Sequence, residues 1–348
     1  MQAANDRHAH TLLGLRGKHI VTIGGGTGPF ALLSTLKRHD CSITAIVTMA
    51  DSGGSSRRLM DEFGTLPVGD LRQALVALSR KGVLWREVFT YRFKQNGKTN
   101  GNHEPASLSG HSLGNLIIAA LQEVNHGNLL HAIEDAQQLL DTAGNVLPVT
   151  LSPATLCAEL QDGEIIEGET EIDTRGDHSS APLSPIKRIY LKDSVPACED
   201  ALRAIRRADV IVIGPGSLYT SILANFVVDG VAEAVRASEA QKVYVCNLMT
   251  NRGETDGLRA SDFVHEVHTY LGDRVDRIVA HDGAFPERLL ERYAQDHQHP
   301  VVADMDKLRH MAPEVVVDSL LAVYQDRLVR HDAERLLRAI FTPAEYLN

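Results

Sequence analysis

Residues 21–30 read VTIGGGTGPF, a β-favouring run that breaks into Gly24, Gly25, Gly26, Thr27 and Gly28 before Phe30 opens FALLSTLKR, whose apolar spacing is helical. Strand, glycine loop and helix in that order open an α/β unit, and Pro29 sits where a first helical turn tolerates it. Without β-carbons a phosphate can approach the backbone, so the loop reads as an anion cradle. A tight strand-to-helix turn with no ligand is the other reading of the same residues. The run is no Walker A loop, because no Gly-Lys-Ser/Thr follows. It meets the dinucleotide fingerprint only in part, since Pro29 takes the place of the third glycine.

The pattern repeats outward from there. SITAIVTM at 42–49 is a second strand and leads into Asp51, Ser52, Gly53, Gly54, Ser55 and Ser56; IVIG at 211–214 leads into Gly214, Gly216 and Ser217, with Tyr219, Thr220 and Ser221 as further donors. KVYVCNLMT and VDRIVAHDG are two more buried-strand runs. Such repetition predicts an α/β fold, a parallel sheet covered by helices on both faces, with ligands at the carboxyl ends of its strands. Helical patterns in DLRQALVALSRKG, LWREVFTYRF, HSLGNLIIAALQEV and LLHAIEDAQQLLDTA predict a small helical insert over about 83–142, and the polar stretch 94–110 is a loop within it. ATLCAELQDGEIIEGETEI has an Asp-Gly turn between alternating runs, so about 146–192 is expected to be an antiparallel section at the sheet edge. Residues 1–17 are expected to be a loose tail, and 18–348 a single nucleotide-binding domain.

Composition limits the function. The chain has 348 residues, 43% of them hydrophobic, enough for a real core, and a net charge of −10, which argues against nucleic acid or anionic lipid as partner. An anionic ligand must therefore be caught locally. Cys41, Cys157, Cys198 and Cys246 are scattered with no C-x-x-C pair, as in a reducing compartment, and no apolar run reaches membrane-spanning length; the expectation is a cytoplasmic protein with no membrane insertion. The histidines show no zinc-ligand spacing.

Several side chains carry alternative readings. Asp51 near the end of the second strand can hold a ribose or cap its loop. Asp70 in LPVGDLRQAL is either an ordinary helix-start acid or, with Asp51, a partner for a metal or hydroxyl. GHSLG at 110–114 matches a serine-hydrolase string, but no hydrophobic strand precedes it, so Ser112 is not a nucleophile; His111 and Asn115, one helical turn apart, are the better ligand candidates. After the KVYVC strand, Asn247, Thr250, Arg252 and Glu254 complete the candidate site, Arg252 being either a phosphate partner or a solvated loop residue.

Six stretches, TIGGGTG, AIVTMADSGGSS, LPVGDLRQALVAL, HSLGNLIIAAL, GPGSLYTSI and VYVCNLMTNRGET, lie in this order between about Lys18 and Asp282. Together they resemble the gluconeogenesis factor (YvcK-type) family, of the superfamily that includes the 2-phospho-L-lactate transferase CofD. The resemblance implies a Rossmann-like three-layer fold and a UDP-sugar-binding regulator linked to cell shape and wall synthesis during gluconeogenic growth. The transferase branch implies Mg²⁺-dependent transfer of a phospholactyl-type group, with Asp51 and Asp70 as catalytic and metal candidates. No cofactor is assigned otherwise. A low aromatic content, 5%, speaks against a flat deazaflavin partner and for the regulator. A homodimer is left open, and no regulated protein is named. Three positions depart from the family pattern: Arg57 after GGSS, Val68 in place of a proline, and LANFVV at 223–228 where Pro-Asn-Leu is usual.

Overall fold

The computed structural model describes residues 14–25, 28–50, 53, 65–94, 108–177, 182–325 and 327–343. Its first strands are β1 (His19–Gly24), β2 (Ser42–Val47) and β3 (Asn145–Pro148), followed by β4 (Leu156–Leu160), β5 (Ile165–Glu167) and β6 (Ile186–Leu191). Then come β7 (Val210–Ile213), β8 (Gln241–Val245), β9 (Arg277–His281), β10 (Glu314–Asp318), β11 (Leu321–Tyr324) and β12 (Leu328–His331). Seven of these form one sheet in the order β10-β9-β8-β7-β1-β2-β3, parallel at every pairing. Every residue of β7 and β9 is buried, which is why these strands read as continuous apolar runs rather than alternating ones.

The chain builds from β1 outward through β2 to β3, then returns to the other side of β1 as β7 and continues to β10. Loops leaving β1 and β7 at their carboxyl ends therefore diverge on either side of one crevice, the switch point at which open α/β sheets bind ligands.

The helices are α1 (Phe30–Leu36), α2 (Gly69–Leu78), α3 (Val83–Thr90), α4 (Leu113–Val124), α5 (Leu129–Leu140), α6 (Glu169–Asp173) and α7 (Glu199–Arg207). A π-helical turn, Leu218–Leu223, runs into α8 (Ala224–Phe226); α9 (Val231–Ala237), α10 (Ala260–Leu271), α11 (Glu287–Gln295), α12 (Met305–Leu308) and α13 (Ala333–Phe341) follow. On one side α1 packs on α2 and α13, and α13 also covers β9 and β10; on the other α7 packs on β1, β3 and α9, which meets α10. Right-handed crossovers running in opposite directions from β1 put the two groups on opposite faces. Helices α3, α4 and α5 occupy the stretch read as an insert, with α4 and α5 packed on each other and on α2.

Three details differ from the sequence expectation. The antiparallel section is shorter than 146–192, because β3 at 145–148 pairs in parallel with β2 as the sheet's edge strand, a position that tolerates Pro148. The three-stranded antiparallel sheet, ordered β5-β4-β6, comes after it. Its hairpin stops at Glu167, and GETEI, expected to extend a strand, instead forms α6, with Glu169 and Glu171 in the first turn, where acids favour helix. The ordered body also begins ahead of residue 18: Leu15 is only 1% exposed, and the Gly17 N–H donates to the Asp40 carbonyl at 2.8 Å. Among the described residues no helix is long and apolar enough to cross a membrane.

Candidate functional site

At the carboxyl edge of the sheet a cavity of about 590 Å³ opens over the switch point. Its floor comes from the two glycine loops, through Gly25 and Gly28 after β1 and Pro215, Gly216, Ser217 and Ser221 after β7. Thr48 at the end of β2 and Asp70 in the first turn of α2 close one side, and Asn247 to Asn251 after β8 close another. A further wall is α6 and the turn beyond it, with Glu169, Asp173 and Asp177. The rim comes from late in the chain: Tyr293, Gln298 and, on β12, Val329, Arg330 and His331.

The glycines are explained by how closely these segments meet. A β-carbon on Gly28 would run into the Pro215 carbonyl and lie 2.9 Å from the Gly216 Cα. On Gly25 it would strike the Asp70 carboxylate and come within 2.7 Å of the Thr48 Cγ2. Bare backbone lets the β1 and β7 loops touch and lets Asp70 reach over the first of them, so the glycines themselves form the cavity floor. Amide side chains brace it. Buried Asn225 donates from Nδ2 to the carbonyls of Gly24 at 3.3 Å and Ser221 at 2.8 Å, pinning the π-helical turn to the end of β1. Asn247 Nδ2 donates to the Gly216 carbonyl at 2.8 Å, while its buried Oδ1 meets no donor among the described residues.

Behind the α6 wall, Asn251 Nδ2 donates to Glu254 Oε1 at 2.5 Å and to Asp173 Oδ1 at 3.4 Å, and Gln298 Nε2 donates to Asn251 Oδ1 at 3.3 Å. Glu254 is buried, and desolvation followed by the Asp173 charge holds its pKa well above the ordinary carboxylate range. Its Oε2 meets no hydrogen-bond partner among the described residues. At the rim, burial brings His331 down to about 4, so the ring is neutral at pH 7, with Nε2 3.1 Å from the Cys246 carbonyl. Arg330 is exposed and is the one charged base among the described residues lining the cavity.

This arrangement has close relatives. The family model of 2-phospho-L-lactate transferase CofD matches residues 20–321. A gluconeogenesis factor of Halalkalibacterium halodurans is 42% identical over 329 residues, spanning 94% of this chain and 96% of that one. The chain belongs to the gluconeogenesis factor family. A second member, from Bacillus subtilis strain 168, is 38% identical over 319 residues, covering 91% of this chain and 95% of its own. The crystal structure of a Bacillus halodurans protein of the UPF0052 family superposes with a TM-score of 0.85 at 40% identity, covering 94% of this chain and 99% of that one.

Within this family member, Gly25, Gly28, Asp70, Gly216, Ser217, Asn247 and Thr250 all meet at the cavity, as does Ser221. Gly24 and Gly214 lie just behind it, at the ends of their strands. Glu254 stands behind the wall rather than in it. Gly26, Thr27, Asp51, Ser52, Gly54, Ser55, Ser56 and Arg57 fall outside the described residues, where Gly53 is described alone and is half-buried. His111 and Asn115 are buried in the helical insert, not in the cavity lining: Asn115 Oδ1 accepts from Arg72 Nε at 2.8 Å, and Arg72 reaches on to the Phe89 carbonyl at 3.3 Å. Ser112 Oγ donates to that same carbonyl at 3.3 Å, a structural anchor. Arg252 also lies off the lining, its backbone and Cγ packed beneath Gly176. Val68 is buried and precedes α2, so a valine serves there as the entry to the helix.

Sequence reading missed Glu169, Asp173, Asp177, Tyr293, Gln298, Arg330 and His331. The α6 acids carried a signal, since two of them crowd one helical turn. The C-terminal contributors sit in no motif, and only the fold brings them to the site.

Proposed function

We infer that this protein binds a nucleotide sugar of the UDP class and acts as a regulator rather than as a catalyst, within the role its family name records. The observation that carries this reading is the meeting of the β1 and β7 glycine loops at the switch point, where glycine backbone forms the floor of one large polar cavity. Its volume, about 590 Å³, falls in the range of small-molecule sites. Bare loop backbone suits a diphosphate, and the surrounding amides and hydroxyls of Asn247, Thr250 and Ser217 suit a sugar or ribose. Control of cell shape and wall synthesis, in the cytoplasm, is the biological setting we propose.

A second reading, a transferase, is favoured by the CofD family model and by the Asp70 carboxylate standing over Gly25 in the cavity. Such chemistry would use Mg²⁺ held by Asp70 and Asp51. Among the described residues no group of three or more acidic, histidine or cysteine side chains gathers to hold a metal ion.

One experiment separates the two. Thermal-shift and calorimetric titration with UDP-glucose, UDP-N-acetylglucosamine, UDP alone and GDP, with and without Mg²⁺, is expected to show stabilisation by the UDP-sugars, because a ligand that binds only the native state raises Tm by mass action. Chromatography of the same mixtures is expected to return the nucleotide sugar intact. Protein-dependent release of UMP or UDP that vanishes in Asp70→Asn would establish the transferase; failure of every UDP-sugar to shift Tm would overturn the nucleotide-sugar reading, and stabilisation by GDP alone would turn the assignment to the transferase.

A further inference from the structure

The hairpin of β11 and β12 stands apart from the seven-stranded sheet, and β11 pairs with β12 alone. One hydrogen bond shows which way its backbone groups point. Val329 on β12 sits opposite Val323, yet its N–H donates to Tyr293 Oη at 2.9 Å. Opposed residues of an antiparallel ladder either bond each other or both turn away, and the two kinds alternate. Val323 and, two positions back, Leu321 therefore direct their N–H and C=O groups away from β12. The Asp332 N–H agrees, because it donates across the ladder to the Leu320 carbonyl at 2.7 Å. Among the described residues nothing bonds to the outward groups of Leu321 and Val323. Natural edge strands are blunted by charge, proline or a bulge. Leu321-Ala322-Val323-Tyr324 has no charge, no proline and an unbroken register with β12, and Val323 and Tyr324 are 40% and 48% exposed.

We propose that β11 is a dimer-forming edge: two copies of this chain pair antiparallel through it, about a twofold axis at Ala322, and join their hairpins into one continuous sheet. The edge is complementary to itself. Ala322 lies midway between the two outward residues, so the axis sets Leu321 of each copy against Val323 of the second copy, and each such pair exchanges both backbone bonds. The residues that meet on the axis form a pair of the non-bonded kind, with Cα atoms about 4.5 Å apart, and alanine is small enough for that approach. Charge agrees with the same arrangement. Antiparallel pairing carries the tip of one hairpin to the root of the other, where exposed Arg327, which has no ion pair among the described residues, meets the acidic side of Asp318. Such a contact is isologous, the usual form of a closed dimer. Because Val329, Arg330 and His331 on β12 line the cavity, the shared sheet would hold one wall of both sites.

Sedimentation velocity of the full chain across the micromolar range tests this. The wild type is expected to form a species of twice the chain mass as concentration rises, and hydrogen exchange at the Leu321 and Val323 amides is expected to slow as that species forms. Val323→Pro removes a donor that points away from β12, so the hairpin keeps its own ladder. It is expected to raise the dimer dissociation constant about tenfold or more, since each copy loses one bond across the axis. Ala322→Lys sets like charges face to face on the axis and is expected to disperse the dimer by a different route, which keeps the test intact should the proline variant misfold. Urea midpoints near wild type identify the variants as folded. A wild type that stays monomeric, a dimer that the folded variants leave intact, or exchange at Leu321 and Val323 that ignores concentration overturns the proposal.

Discussion

At the scale of single residues, Gly25 and Gly28 do different work although they share one run. The neighbours a β-carbon would meet at Gly28 are backbone, the Pro215 carbonyl and the Gly216 Cα, and backbone cannot step aside cheaply. Gly28→Ala is therefore expected to cost about 1–3 kcal/mol of stability, as overpacking does, and to weaken ligand binding by parting the loops. At Gly25 the neighbours are side-chain ends of Asp70 and Thr48, which can rotate, so Gly25→Ala is expected to leave the urea midpoint near wild type while reducing affinity through displacement of Asp70. Equal stability losses in both variants would contradict the distinction. His331 makes a second residue-scale prediction. Its folded pKa, about 4, lies below the unfolded value of 6.5, so between those values the unfolded chain binds the extra proton. The stability it contributes is fully present above pH 6.5 and is lost as pH falls toward 4, about 3 kcal/mol for a shift of this size. Denaturation curves of His331→Gln across this window should be flatter with pH than those of the wild type; parallel curves would show that His331 is not what acid attacks.

At the scale of elements, the late chain is what the sequence left hardest to read. Glycine punctuation after β1 and β7 and the apolar spacing of α1, α2, α4 and α5 are local signals, and they made the sheet core and half of the cavity legible. The remainder depends on contacts with no local mark. Glu169 to Asp173 alternate well enough to pass for a strand, and only the end of pairing at Glu167 makes them helix. Arg277 is another case, a charged residue inside a fully buried strand. Its guanidinium pairs with Glu314 at 2.5 Å and donates to the carbonyls of Ala339, Ile340 and Thr342 at 3.3, 2.5 and 3.0 Å. It thus caps the carboxyl end of α13 from β9, satisfying acceptors that a helix end leaves open. Nothing near residue 277 in sequence announces a helix end more than sixty positions away. Arg277→Ala is expected to lower stability by about 3–5 kcal/mol, because Glu314 and three carbonyls lose their donor together. Arg277→Lys should recover only part of this, since one ammonium cannot reproduce a planar fork; full recovery in urea titration would reduce the role of Arg277 to its charge.

At the scale of the whole molecule, the nucleotide sugar proposed as ligand and the protein have the same sign. The chain carries a net charge of −10, and among the described residues the carboxylates of Asp70, Glu169, Asp173 and Asp177 line the cavity together with one exposed guanidinium, that of Arg330. A nucleotide diphosphate approaching such a field would be repelled at long range and held at contact, among the described residues by bare backbone and by Arg330. Long-range repulsion is screened once the Debye length falls to about 8 Å, near 0.15 M salt, while contacts made inside the cavity are screened much less. The association rate of a fluorescent UDP-sugar analogue is therefore expected to rise several-fold as salt increases from about 0.02 to 0.2 M, the reverse of electrostatically steered binding. Arg330→Ala should act on the other rate, raising koff by about fivefold, the loss of roughly 1 kcal/mol for an exposed charge pair. Stopped-flow measurement resolves the two. An association rate that falls with salt would mean that the ligand enters through a locally positive field, and the carboxylates of α6 would then not be what it meets on the way in.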